Sequence, residues 1–219
     1  MSLSSLGYRK GSIYEVIVTT FDAQKRPHAA PMGVTVSKAR EFILRPFVET
    51  ETLNTLKVSK CGVINVTSNP WRFFRTALKN EAWVGPPPSS WFEHAKQVMA
   101  PRLRSSDSYA EFHVMDILGH GPRRLIRCKV VHVDSTKREV TPYCRSTSAT
   151  IESIIHATRV KELLKEGDIR GAKRLIDLMK YYGELTNRVS PKSDEAKIIR
   201  CLLRHMGGLI TVSPQPRRS

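Results

Sequence analysis

Along the first two-thirds of the chain, apolar and polar positions alternate in short runs broken by turn residues. Residues 12–20 (Ser-Ile-Tyr-Glu-Val-Ile-Val-Thr-Thr) are β-branched or aromatic and predict a strand. Polar residues 21–27 read as a turn, and residues 28–36 predict a second strand with Pro31 and Gly33 in its middle. Proline cannot donate to a strand ladder and so marks an edge or a bulge, while glycine marks close approach of another group to the backbone. A third strand is predicted over 41–47, a short helix capped by Thr50 over 50–56, and a fourth strand over 61–67. Residues 70–79 predict a helix that must bury Trp71, Phe73, Phe74 and Leu78, followed by a proline-rich loop at 85–90 and an irregular connection at 98–107. Residues 109–117 and 124–134 complete the strands, the second placing Ile126, Cys128, Val130 and His132 opposite Leu125, Arg127, Lys129 and Val131.

From Thr147 the apolar period lengthens from two to about 3.6. Ile151, Ile154, Ile155 and Thr158 share one helix face, with Gly167 as the stop. Asp168 caps a second helix carrying Ala172, Leu175, Ile176 and Met179. A third begins near Ser193, carries Ile198, Ile199, Leu202, Leu203 and Met206, and is expected to end at Gly207-Gly208. Strands followed by helices define an α+β layout. The predicted division is a β-barrel domain over 1–145, a helical domain over 146–210 and a disordered tail over 211–219.

Composition narrows this little. With 40% hydrophobic and 26% charged residues the chain is expected to be globular. No apolar run approaches the roughly 18 residues of a membrane span, and the basic N-terminus lacks an apolar region behind it, so a cytoplasmic protein is expected. Cys61, Cys128, Cys144 and Cys201 are widely spaced, which favours reduced thiols over a zinc site. The net charge of +16 divides into +10 over residues 1–150 and +6 over 151–219. Such a field attracts nucleic acid, nucleotide phosphates or an acidic partner without choosing among them.

A small antiparallel barrel in a basic chain suits two ligand classes, an oligonucleotide or a phosphorylated cofactor. A nucleic-acid barrel needs aromatics interleaved with Lys and Arg on a strand face. Here they gather at residues 71–74 and around Trp91-Phe92, outside the predicted strands, which disfavours that reading. In residues 44–54, Arg45 leaves a strand and Thr50 and Thr52 stand at a helix N-terminus, the ingredients of a phosphate cradle. The plain alternative makes Thr50 a cap and Arg45 a solvated charge.

The runs at 29–34 (Ala-Ala-Pro-Met-Gly-Val), 44–47 (Leu-Arg-Pro-Phe), 50–54 (Thr-Glu-Thr-Leu-Asn) and 62–67 (Gly-Val-Ile-Asn-Val-Thr) resemble, in that order, the FMN-binding split-barrel superfamily. That superfamily includes flavin reductases and pyridoxamine-phosphate-oxidase-like proteins. The order is most similar to a mainly archaeal family known as domain of unknown function 447, and residues 148–159 resemble that family's C-terminal helical part. The resemblance covers roughly residues 10–205. It implies a split barrel and a homodimer with FMN near the subunit interface. The isoalloxazine would lie against Pro31, Met32, Gly33 and Val34, the phosphate by Arg45, Thr50 and Thr52, and Asn65 near the flavin or ribityl chain, with Pro46 also among the cofactor-binding residues. Glu49 and Glu51 flank the threonines and oppose a phosphate unless both point away.

Catalytic signals are sparse: no carboxylate pair, Ser/His/Asp set or activated cysteine is visible. His28 could donate a proton or touch a phosphate, but reads first as a surface histidine. Glu152, His156 and Arg159 share a helix face and read as a polar interface. His113, His120 and His132 have no carboxylate or cysteine at ligand spacing, so no metal is expected. Bound flavin brings its own redox chemistry, which leaves a flavin reductase or other FMN-dependent oxidoreductase and a non-catalytic flavin carrier or sensor equally open, with NAD(P)H visiting only transiently because no G-x-G-x-x-G element is present.

Overall fold

The computed structural model describes residues 3–136 and 141–212, which form two compact units, one ending at Tyr143 and the other starting at Cys144. The first unit is a closed antiparallel barrel. Its strands are β1 (Ile13–Phe21), β2 (Pro27–Lys38), β3 (Glu41–Leu44), β4 (Cys61–Val66), β7 (Ser108–Leu118) and β8 (Leu125–Ser135), in the order β1-β2-β3-β8-β7-β4. Val16, Val18, Val34, Phe42, Leu44, Ile64, Phe112, Ile126 and Cys128 are buried, and the Phe42 and Phe112 rings meet edge to face at 5.0 Å. Edge-to-face packing sets one ring's positive rim against the other's negative face.

Two helices serve the barrel. Helix α1 (Glu51–Ser59) buries Leu53 and Leu56, and the Thr20 hydroxyl on β1 donates to the Thr55 hydroxyl at 2.7 Å. Helix α2 (Pro70–Ala77) starts at Asn69, whose side chain accepts from the Trp71 N–H, and packs on β2. The connection expected to be irregular holds a small second sheet, β5 (Phe92–His94) paired with β6 (Pro101–Leu103). Leu103 packs with Ile17 and Ala29, and Pro101 O accepts from the Thr19 hydroxyl, so β1 is covered on both faces there. This explains why β1 reads as a continuous buried run over Val16–Thr20 instead of an alternation.

Strand β8 obeys its predicted alternation through Ile126, Cys128 and Val130. A register shift opposite Glu111/Phe112 then passes over Val131, and Val133 takes the buried place expected for His132. The third predicted strand stops at Leu44, short of Phe47.

The second unit contains α3 (Arg145–Lys165), α4 (Ile169–Val189) and α5 (Asp194–Val212). Gly167 (φ 81°) takes the left-handed conformation that ends α3, and the Asp168 N–H reaches back to Leu163 O. The Asp168 carboxylate caps α4 through the Gly171 N–H. Ala157, Val160, Ala172, Ile176, Met179 and Met206 form the core. Two expectations are corrected. Helix α5 does not stop at Gly207-Gly208 but continues to Val212, since glycine weakens a helix without obliging it to end. On α3, Ile151, Ile154 and Ile155 are exposed, and Ser146, Ala149, Thr150 and Ser153 are buried instead. Residues 213–219, most of the expected tail, lie outside the described residues.

Candidate functional site

Strand β2 outruns its neighbour. It pairs with β1 from Pro27 to Thr35, but its pairing with β3 begins only at Val34–Leu44. Among the described residues, its segment 27–33 therefore has a strand partner on one edge alone. Lys79 Nζ donates to Ala29 O at 3.0 Å, so the Ala29 carbonyl faces the open edge. Backbone groups in a strand alternate in direction, which turns those of Pro31 and Gly33 toward the same edge. Proline suits such a place because no N–H is needed there for a ladder. A methyl group on Gly33 would stand 3.0 Å from Ile13 Cγ2, tight against β1.

Beside this edge lies a cleft of about 410 Å³ lined by Ala30 and Pro31 of β2, Glu49 to Thr52 at the start of α1, and Thr76, Ala77, Lys79 and Asn80 around the end of α2. His28 closes its floor. The Thr50 hydroxyl caps α1, accepting from the Leu53 N–H (3.4 Å) while donating to Phe47 O (2.8 Å). Thr52 is buried, its hydroxyl 2.9 Å from His28 Nε2.

The other ring nitrogen, His28 Nδ1, lies 2.9 Å from Lys79 Nζ and 3.1 Å from Glu51 Oε2, and Lys79 Nζ stands 3.3 Å from the same carboxylate oxygen. Burial, reinforced by the Lys79 charge, holds the His28 pKa down to about 4. The imidazole is therefore neutral at physiological pH. One ring nitrogen thus meets the Thr52 hydroxyl, and the other meets Lys79 and Glu51 together. Burial also lowers Lys79, and Glu51 partly offsets that. For Glu51, partial burial acts upward but is outweighed by His28 and Lys79, which hold the carboxyl below its usual range.

The cleft thus unites Pro31, Thr50 and Thr52 of the predicted ligand residues. Met32 and Gly33 follow on the same strand, half-buried outside the lining, and Val34 is fully buried. Arg45 is exposed outside the lining, with Nη1 3.4 Å from the Thr35 hydroxyl, because Leu44 and Pro46 on either side of it turn inward. Asn65 is not at the cleft. It has no exposed surface, its Nδ2 donates to Ile17 O and the Thr19 hydroxyl, and its Oδ1 accepts from the Leu103 N–H. It ties β4, β1 and β6 together. His28, expected at the surface, is 4% exposed. Lys79 was not singled out by the sequence at all. On α3, His156 is buried while Glu152 and Arg159 face solvent.

A half-buried ammonium, a helix N-terminus and two threonines lie together beside an open strand edge, an arrangement with the chemistry to favour an anion. The fold carrying it is the split β-barrel of the flavin reductases. Residues 14–137, more than half of the chain, match the family described as protein of unknown function (DUF447), N-terminal domain, and the chain belongs to that family. Among solved structures it is similar to an FMN-bound DUF447 protein from Methanosarcina mazei. The two share 23% identity over 93% of this chain and 99% of that one, with a TM-score of 0.54. It is also similar to the flavin reductase HpaC complexed with NADP+, at 21% identity over 61% of this chain and 85% of that one, with a TM-score of 0.50. No curated protein matches the sequence. Among the described residues, no helix is long and apolar enough to cross a membrane.

Proposed function

We propose that this protein binds FMN in the cleft between α1, the end of α2 and the open edge of β2. The observation that carries this reading is that Lys79, Thr50, Thr52 and the first turn of α1 line one cleft beside the open edge of β2. The phosphate sits at that first turn, where the Glu51 and Thr52 N–H groups and the helix dipole favour an anion. The ring lies along Pro31 to Gly33, whose edge-facing carbonyls and Gly33 N–H match the flavin's own donors and acceptors. Arg45 contributes from the rim. Flavin supplies hydride and electron transfer when bound. The protein holds and orients it, with His28 kept neutral behind the phosphate position.

In this reading the protein is an FMN-dependent oxidoreductase or flavin reductase, cytoplasmic and homodimeric, with flavin near the subunit interface and NAD(P)H binding in passing. The M. mazei relative, described as FMN-bound, and HpaC, a flavin reductase, support it. The test is direct. Purified protein, stripped and titrated with FMN, is expected to quench flavin fluorescence and to turn yellow, and Lys79→Met is expected to weaken FMN about tenfold or more, the loss of one charged hydrogen bond. Bleaching of the bound flavin by NADH or NADPH separates the enzyme from a carrier. A protein that folds but leaves FMN fluorescence untouched would refute the reading.

A further inference from the structure

The same cleft contains a conflict of charge. Its lining holds one cation, Lys79, against two carboxylates, Glu49 and Glu51, and His28 is neutral. A phosphate dianion would enter a site already carrying excess negative charge. Glu49 is exposed, but Glu51 points inward and holds both Lys79 and His28.

We infer that Glu51 is a built-in surrogate for the ligand's phosphate, occupying its place against Lys79 and His28 until a phosphorylated ligand displaces it. The inference rests on the FMN reading above and adds to it an internal competitor for the phosphate position. The three side chains differ in a way that suits this role. His28 and Lys79 are 3% and 14% exposed, so neither can leave, whereas Glu51 is 53% exposed and reaches water by rotating its side chain. Its own backbone stays in the first turn of α1, so the N–H groups that would meet the phosphate are not disturbed by the swing. With Glu51 in place, the half-buried ammonium keeps a counter-charge beside its contacts with Ala29 O and His28, and losing that charge would carry a desolvation penalty. A ligand can open the pair only by bringing an anion of its own. The dephosphorylated flavin offers the same ring but nothing to replace the carboxylate. Glu51 therefore sets the affinity for phosphomonoesters by competition within the protein, opposing the direct attraction of Lys79, while neutral analogues bind without displacing it.

The experiment titrates the full-length protein and its Glu51→Gln variant with FMN, riboflavin and inorganic phosphate. The variant is expected to bind FMN and inorganic phosphate about five- to tenfold more tightly than wild type, with riboflavin unchanged. Glu51→Asp, which keeps the charge but shortens its reach, gives the same ordering and serves if glutamine disturbs folding. Unchanged or weaker FMN and phosphate binding in folded variants, with wild type still binding FMN, would overturn the surrogate role and leave the FMN site standing. Binding of none of the three ligands by folded wild type would overturn both.

Discussion

At the scale of single residues, two buried polar side chains do opposite work. His28 is held neutral, so acid must act on it. Its pKa in the folded protein, about 4, lies below the ordinary value of 6.5, and the unfolded chain therefore binds more protons between those values. Stability is expected to fall as pH drops through that window, by about 2 kcal/mol between about pH 7.5 and pH 5. Lys79 opposes protonation of the ring, and Glu51 and Asp22 favour it. Denaturant titrations at the two pH values check this, and His28→Gln should flatten the difference. Asp134, lowered to about 2 by Lys96 and by backbone and tyrosine hydrogen bonds against a desolvation effect of opposite sign, loses its contribution only in stronger acid. Asn65, by contrast, is a tie. Asn65→Ala leaves the buried Leu103 N–H without an acceptor and frees β6 from β1, and is expected to destabilise the barrel by about 2–4 kcal/mol in urea unfolding.

At the scale of elements, Gly62 shows how closely β4 is seated. A methyl group there would stand 2.8 Å from Phe112 Cζ and 2.9 Å from Thr19 O, one of them backbone that cannot yield cheaply. Gly62→Ala is expected to lower stability by about 1–3 kcal/mol in thermal or denaturant unfolding. The sequence shows clearly those elements whose pattern answers to one buried face. β3, the first part of β8 and the start of α1 follow from alternation and from Thr50. The β5–β6 pair does not, because three-residue strands are too short to display a period and their fixation depends on distant Asn65 and Thr19. The buried face of α3 is misread for a different reason. Thr150 and Ser153 turn their hydroxyls back onto Ser146 O and Ala149 O (2.8 and 2.7 Å), so small polar side chains satisfy themselves along their own helix and can be buried. Periodicity in isoleucine then marks the exposed side. The site was half legible on the same logic. Thr50, Thr52 and Pro31 carry local signals of cap and edge. Lys79 meets His28 across fifty-one positions of chain and has no local signal at all.

At the scale of the molecule, the +16 charge finds a use that does not require nucleic acid. A field of one sign speeds the approach of an oppositely charged ligand and is screened over about 10 Å at 0.1 M salt. The association rate of FMN is expected to fall several-fold when ionic strength rises from about 0.02 M to about 0.2 M, with riboflavin nearly indifferent. Stopped-flow fluorescence measures both. Equal slopes for the two flavins would remove steering as the role of the charge.

One feature of the barrel wall bears on how the chain acquires its shape. The Glu111 carboxylate, fully buried on β7, accepts the successive N–H groups of Lys96, Gln97 and Val98 at 2.8, 2.6 and 3.1 Å. The segment it gathers leaves the ribosome before its anchor does. Until residue 111 has been made, Lys96, Gln97 and Val98 lack the carboxylate that gathers their N–H groups, and the stretch is held to the wall only further on, where Pro101 meets Thr19 of β1 and Leu103 meets Asn65 of β4. Residues 96–98 are thus fastened last, by a side chain made after them.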